Sequence, residues 1–306
     1  MNLLSVTRTF TTEDQALDYL IKQRWPKGVC CLACDNTKVY KIATRGKTGK
    51  PCRLFECADC GLHFSATTGT LFHDSHLPLQ KWFMAMALMS EAKKGISANQ
   101  VARHIGVQYK TAWHLCHRIR KAMQELNAPP IGGEGKIVEI DEARIGGRKL
   151  RKGVKAGVDN KIKILGIAER YGRVHMQVIS DGKAATLKPI FDAKLHPDTT
   201  KFVTDAAASY SALLPKEKHQ ETSHKDDLLE KGYVANQTVE NAISLFKRGL
   251  VGSYHKLSKD HLDSYLQEFC WRYNRRDMQP FIFETLLREL VTKKPLTYRY
   301  LTREVF

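Results

Sequence analysis

Two groups of side chains in this sequence have the types and spacing to hold metal ions. Cys31-Leu-Ala-Cys34 and Cys57-Ala-Asp-Cys60 are C-x2-C pairs separated by 22 residues. Each pair delivers two soft thiolates from one tight loop, and four such sulphurs make the tetrahedron that structural Zn²⁺ prefers. Cys31 is chosen over Cys30 because only it has the x2 spacing to Cys34. Cys30 and Cys52 are spare thiols nearby, and His63 reads as a strand residue. The second group is acidic. Asp141 closes the run KIVEID (136–141) and Asp205 closes KFVTD (201–205). Both then sit at the C-terminal ends of expected strands, where open α/β sheets place active sites. Glu240 opens an expected helix 35 positions after Asp205. Three carboxylates brought together can hold two Mg²⁺ (or Mn²⁺) ions about 3.5–4 Å apart, one for the attacking oxygen of a phosphoryl transfer and one for the leaving 3′ oxygen. Lys247 lies two helical turns after Glu240 and shares its face, so it can hold a phosphate. Asn241 competes with Glu240 for the third position. Its offset to Lys247 is about 240° round the helix, which favours Glu240. Glu139 and Glu142 flank Asp141 and read as surface residues.

These groups need elements to position them. Thr12–Arg24 is expected as a short helix, capped by Thr11 or Thr12, ahead of a zinc ribbon of two hairpins. Such a ribbon has almost no core, so the metal supplies its folding energy. Leu79–Lys93 is an apolar helix. Ser97 then caps Ala98–Ile105, Gly106-Val107 turns, and Gln108–Met123 carries Ala112, Leu115, Ile119, Ala122 and Met123 on one face. This is a helix-turn-helix pattern, with Tyr109, Lys110, His114, Arg118 and Lys121 on the outward side. Gln108, Tyr109, Lys110 and His114 are placed to enter a DNA major groove. After the linker 127–133 come strand 136–141, a hairpin of 161–169 with 172–180, helix 184–195, strand 201–205 and helix 239–249. That order describes a ribonuclease-H-like mixed sheet. The fold class is therefore multidomain α+β and α/β, divided as zinc ribbon 1–75, helix-turn-helix segment 76–127 and catalytic segment 128–306 with C-terminal helices.

The charge points to the partner. The chain has 306 residues and a formal net charge of +17, which favours a polyanion, most simply nucleic acid. The densest excess lies in 76–127, with eight basic residues against two acids. Residues 144–163 hold eight more against one acid, with four glycines interleaved. Arg148, Lys149, Arg151 and Lys152 in that stretch, and Arg248 beside Lys247, are candidates for phosphate contact. The longest apolar run, Trp82–Met89, is far short of a membrane span, and Met1–Thr12 lacks the apolar core of a signal peptide. A cytoplasmic, nucleoid-associated protein is expected.

Several stretches together resemble bacterial insertion-sequence transposases of the DDE type. They are Trp25-Pro-Lys-Gly-Val29 with the first cysteine pair; Phe64-Ser-Ala-Thr-Thr-Gly-Thr70; Val138-Glu-Ile-Asp-Glu142 with Gly146-Gly147; Val203-Thr-Asp205 with Tyr210; Thr238-Val-Glu-Asn241; Leu245-Phe-Lys-Arg-Gly249; and Gly252-Ser-Tyr-His255 continuing to Arg272-Tyr-Asn-Arg-Arg276. The resemblance implies an N-terminal zinc ribbon and an integrase-like catalytic domain. It implies Asp141 and Asp205 as metal ligands, with Glu, Asn or His third, so Asn241 stays open. It also implies cleavage at the terminal inverted repeats, attack of the freed 3′-OH on target DNA, and a homodimer or larger assembly on DNA. The competing readings are a non-catalytic or domesticated DNA-binding protein and a ribonuclease-H-type nuclease.

Overall fold

The computed structural model describes residues 1–45, 51–125, 127–146, 161–205, 208–222, 237–255, 257–278 and 281–303. They divide into two compact units. One comprises 1–92, 96–123 and 278–306; the other comprises 93–95 and 124–277.

The first unit begins with α1 (Leu3–Thr9) and α2 (Glu13–Arg24). Thr12 and Gln15 form a reciprocal capping box, which fixes the start of α2 where its sequence places it. Strands β1 (Val39–Arg45), β2 (Pro51–Cys57) and β3 (His63–Ser65) form an antiparallel sheet in that order. Its small core is aromatic. Trp25 packs edge-on to Phe55 and Phe64, and the Arg24 guanidinium lies 4.6 Å from the Trp25 ring while donating to the Ala66 carbonyl at 2.7 Å.

Helices α3 (Leu79–Glu91), α4 (Ala98–Ile105) and α5 (Tyr109–Ala122) follow. Ser97 caps α4 by accepting from the Gln100 N–H, and Gly106 ends it at φ +62°, a left-handed turn that a residue with a Cβ resists. Ser97 at its start and Gly106 at its end thus bound the first helix of the expected helix-turn-helix pattern. One member of the expected outward face is inside. Arg118 is buried, stacked over Trp82 and donating to the His73 carbonyl, because its long stem covers apolar surface while the guanidinium finds a carbonyl.

In the second unit β4 (Ile137–Ile145), β5 (Ile162–Glu169) and β6 (Val174–Ile179) run antiparallel; α6 (Ala184–Lys194) leads to β7 (Lys201–Asp205), the single turn α7 (Ala208–Ser211) and β8 (His219–Thr222). The sheet order is β6-β5-β4-β7-β8, with β7 parallel to both β4 and β8. This is the mixed sheet that the element order implied, with β8 as a fifth strand that the order did not include. Helices α8 (Gln237–Gly249) and α9 (Leu262–Tyr273) cover one face, packing Val239, Ile243, Phe246, Leu266 and Phe269 on Ala143, Ile164, Ala168 and Met176. Leu187 and Phe191 of α6, with Tyr210 and Leu214, cover the other face against Val138, Ile140, Leu165 and Ile167.

Helix α10 (Ile282–Thr292) and the short α11 (Tyr298–Arg303) complete the first unit, not the second with which the sequence reading grouped them. Phe283 meets Phe83 of α3 edge-on at 5.7 Å, and Leu286, Leu287 and Leu290 are buried. An amphipathic helix announces that it packs, but not on what. Among the described residues no helix is long and apolar enough to cross a membrane.

Candidate active site

The four sulphurs of Cys31, Cys34, Cys57 and Cys60 converge, all within 4.8 Å of one another. The separations are 3.5 Å for Cys31–Cys60, 3.6 Å for Cys34–Cys57 and 3.7 Å for Cys34–Cys60. Zn–S bonds of about 2.3 Å in a tetrahedron need S···S distances of about 3.8 Å, so the cluster fits one structural Zn²⁺. Cys30 stands outside the group. His63 pairs with Glu56 across β2 and β3 and its ring lies 3.5 Å from the Glu56 carboxylate, which makes it a strand residue.

Asp141 was expected at a strand end, yet β4 runs on to Ile145 because it keeps its antiparallel partner β5. What does end there is the parallel pairing. The β4–β7 register stops at Ile140↔Thr204, so Asp141 and Asp205 follow directly where the two strands part. Alternation along β4 points Glu139, Asp141 and Ala143 to the face that α8 covers. Opposite Asp141 on β5 stands Gly166. A Cβ there would meet Val239 Cγ2 at 2.9 Å and Ile243 Cδ1 at 3.1 Å. The missing side chain lets α8 lie close to the sheet beside Asp141. Gly166→Ala is expected to displace α8 by some tenths of an ångström and cost about 1–3 kcal/mol, which a thermal melt of the variant beside the wild type checks.

The electrostatics tie the acidic residues together. Burial pushes the Asp141 carboxyl up to about 6; the Glu142 N–H, donating to Oδ1 at 2.7 Å, opposes this, the charges of Asp205 and Glu240 add to it, and Lys247 offsets part. Asp141 thus senses every member of the expected constellation. Glu240, Asn241 and Lys247 lie on the exposed side of α8. Among the described residues no carboxylate group closes to the spacing of the four sulphurs. Like charges repel, and a bridging cation draws such oxygens together. Hard carboxylate oxygens around a part-buried Asp, with a lysine in range, are a donor set suited to Mg²⁺ or Mn²⁺.

Residues 132–274 match the model of the ISXO2-like transposase domain, and residues 11–63 match the transposase zinc-ribbon domain. An uncharacterized transposase-like protein of Haemophilus influenzae is 31% identical over 124 residues, 39% of this chain and 94% of that protein. This chain belongs to the ISXO2-like transposase family. An uncharacterized protein in transposable element ISH50 of Halobacterium salinarum is 29% identical over 286 residues, covering 87% of this chain and 92% of its own length. No solved structure matches.

The DNA-facing candidates of this transposase-family chain are distributed unevenly. Gln108, Tyr109 and Lys110 are exposed at the start of α5. Lys110 Nζ lies 4.8 Å from the Tyr298 ring, and His114 sits edge-on to the same ring with Nε2 3.4 Å from the Leu296 carbonyl. The C-terminal segment therefore shares part of this helix face, a contact about 180 residues distant in sequence that no local pattern reveals. Arg248 is exposed at the end of α8. Arg148, Lys149, Arg151 and Lys152 lie outside the described residues.

Proposed function

We propose that this chain is a DDE-type DNA transposase, a polynucleotidyl transferase that cleaves at the ends of its insertion sequence and joins the freed 3′-OH to target DNA. The observation that carries the reading is Asp141: part-buried beside the end of the β4–β7 pair, and coupled in charge to Asp205, Glu240 and Lys247. Asp141, Asp205 and Glu240, with Asn241 as the alternative third ligand, would hold two Mg²⁺ or Mn²⁺ ions. Such ions polarise the scissile phosphate and favour ionisation of the attacking oxygen. The chain's own contribution is position and field. Lys247 holds a non-bridging phosphate oxygen two turns along the helix from Glu240. The partial burial of Asp141 keeps the site in a medium where charge interactions are strong. In strand transfer the 3′ oxygen attacks a target phosphorus and the target's own 3′ oxygen leaves, so one site serves both cleavage and joining.

In this reading Gln108, Tyr109, Lys110 and His114 engage the terminal inverted repeat. Arg148, Lys149, Arg151, Lys152 and Arg248 contact phosphate. Two ends are paired by a homodimer or larger assembly at the nucleoid.

The test uses the full chain with duplex DNA carrying the element's terminal repeat. The expected result is nicking at the 3′ end and joining to a second duplex, with Mg²⁺ or Mn²⁺ and not with EDTA. Binding without nicking in either metal would leave a DNA-binding protein. Hydrolysis without joining, on hybrid or branched DNA, would leave a nuclease.

A further inference from the structure

Glu139 is a charged residue with no exposed surface, two positions before Asp141 on β4. By sequence alone it reads as a surface residue. Its carboxylate is fully engaged instead. Oε1 accepts from Arg170 Nε at 2.7 Å, and Oε2 accepts from the backbone N–H groups of Thr238 at 2.6 Å and Val239 at 3.0 Å. Those two amides are in the first turn of α8, the helix of Glu240 and Lys247. Arg170 is itself anchored, since its backbone N–H donates to the Ile137 carbonyl of β4 at 2.9 Å. Helix-terminal amides and a guanidinium together satisfy a buried carboxylate, and the positive end of the helix dipole favours its charge.

Stability alone does not require such a device. A buried ion pair can often be replaced by apolar side chains at no loss. What the contact supplies is register between two elements about 100 residues apart in sequence. Apolar packing of Val239 and Ile243 presses α8 onto the sheet, but apolar contacts tolerate sliding. Two directional hydrogen bonds to one carboxylate do not. We propose that Glu139 is a positioning residue: its carboxylate pins the first turn of α8 to β4, and so sets where Glu240 and Lys247 stand relative to Asp141. This rests on the proposed carboxylate site.

The test measures Mn²⁺ binding to the full chain by calorimetry, beside thermal unfolding and metal-dependent nicking. Glu139→Ala is expected to raise the Mn²⁺ Kd about tenfold to a hundredfold, as loss of a group that orients ligands does. Glu139→Gln keeps one acceptor for the helix amides but turns an NH₂ toward Arg170, so a smaller rise is expected. Adding Arg170→Gln, whose carbonyl can accept from that NH₂, is expected to recover part of the affinity. A purely structural role would lower the melting temperature and leave Kd unchanged. A folded Glu139→Ala protein with wild-type Kd overturns the proposal. If that variant does not fold, an unchanged Kd in Glu139→Gln overturns it. Asp141→Asn is the control: if it too binds Mn²⁺ as the wild type does, the carboxylate site itself fails, and the pin loses its purpose with it.

Discussion

Cys57→Ser is expected to abolish zinc binding and unfold the ribbon. Cys57 closes β2, is buried, and places its sulphur 3.6 Å from that of Cys34. Serine offers a hard hydroxyl in place of a soft thiolate, so one of four ligands is lost. Among the described residues the ribbon's core is the small Trp25, Phe55 and Phe64 cluster, whereas structural zinc contributes about 10–16 kcal/mol to the folding of domains of this size. Elemental analysis is expected to fall from one zinc per chain to less than about a tenth, with protease cleavage appearing between residues 25 and 65 and a shift in Trp25 fluorescence. Cys30→Ser and His63→Ala should keep their zinc, because neither belongs to the cluster. A Cys57→Ser protein with full zinc content would reject this ligand set.

What could be read from the sequence was mostly local. Two cysteine pairs at fixed spacing define a metal site without tertiary knowledge. Ser97 and Gly106 bound α4 by short-range hydrogen bonding, and KFVTD reads as a strand on its own. What was missed depends on distant partners. β8 (His219–Thr222) is four polar residues with no apolar alternation; it is a strand only because β7 lies beside it. Glu139 looks like a surface acid until Arg170 and the start of α8 close over it. Arg118 belongs by helical spacing to the basic face, yet Trp82 and the His73 carbonyl draw it in. The end of β4 shows the same division. Its apolar start was legible, but its length is set by β5, while the feature that matters at Asp141 is the loss of β7.

Asp141→Asn is expected to eliminate catalysis and at the same time stabilise the metal-free protein. The carboxyl is held at about 6, above its ordinary 3.8. A carboxyl raised in the folded state favours folding only while it is protonated. That contribution is present below about 3.8 and is lost as the pH rises through about 6, so above 6 the ionised group opposes folding. The full shift corresponds to about 3 kcal/mol, and partial solvent access reduces this to about 2 kcal/mol. Asparagine is nearly isosteric and its Oδ1 can still accept from the Glu142 N–H. It removes only the charge that burial, Asp205 and Glu240 all disfavour. At pH 8 without metal the variant should melt roughly 4–8 °C above the wild type. The gap should shrink as the pH falls from 6 towards 4. Mg²⁺ should raise the melting temperature of the wild type and have little effect on the variant, since the ion relieves the same repulsion that the substitution removes. Nicking and joining should fall by a factor on the order of a thousand or more, because an amide neither neutralises nor holds the metal as a carboxylate does. Scanning calorimetry at pH 4, 6 and 8, with and without Mg²⁺, separates these effects. A variant no more stable than the wild type at pH 8 would contradict the strained carboxyl, and one that still joins DNA would remove Asp141 from the chemistry.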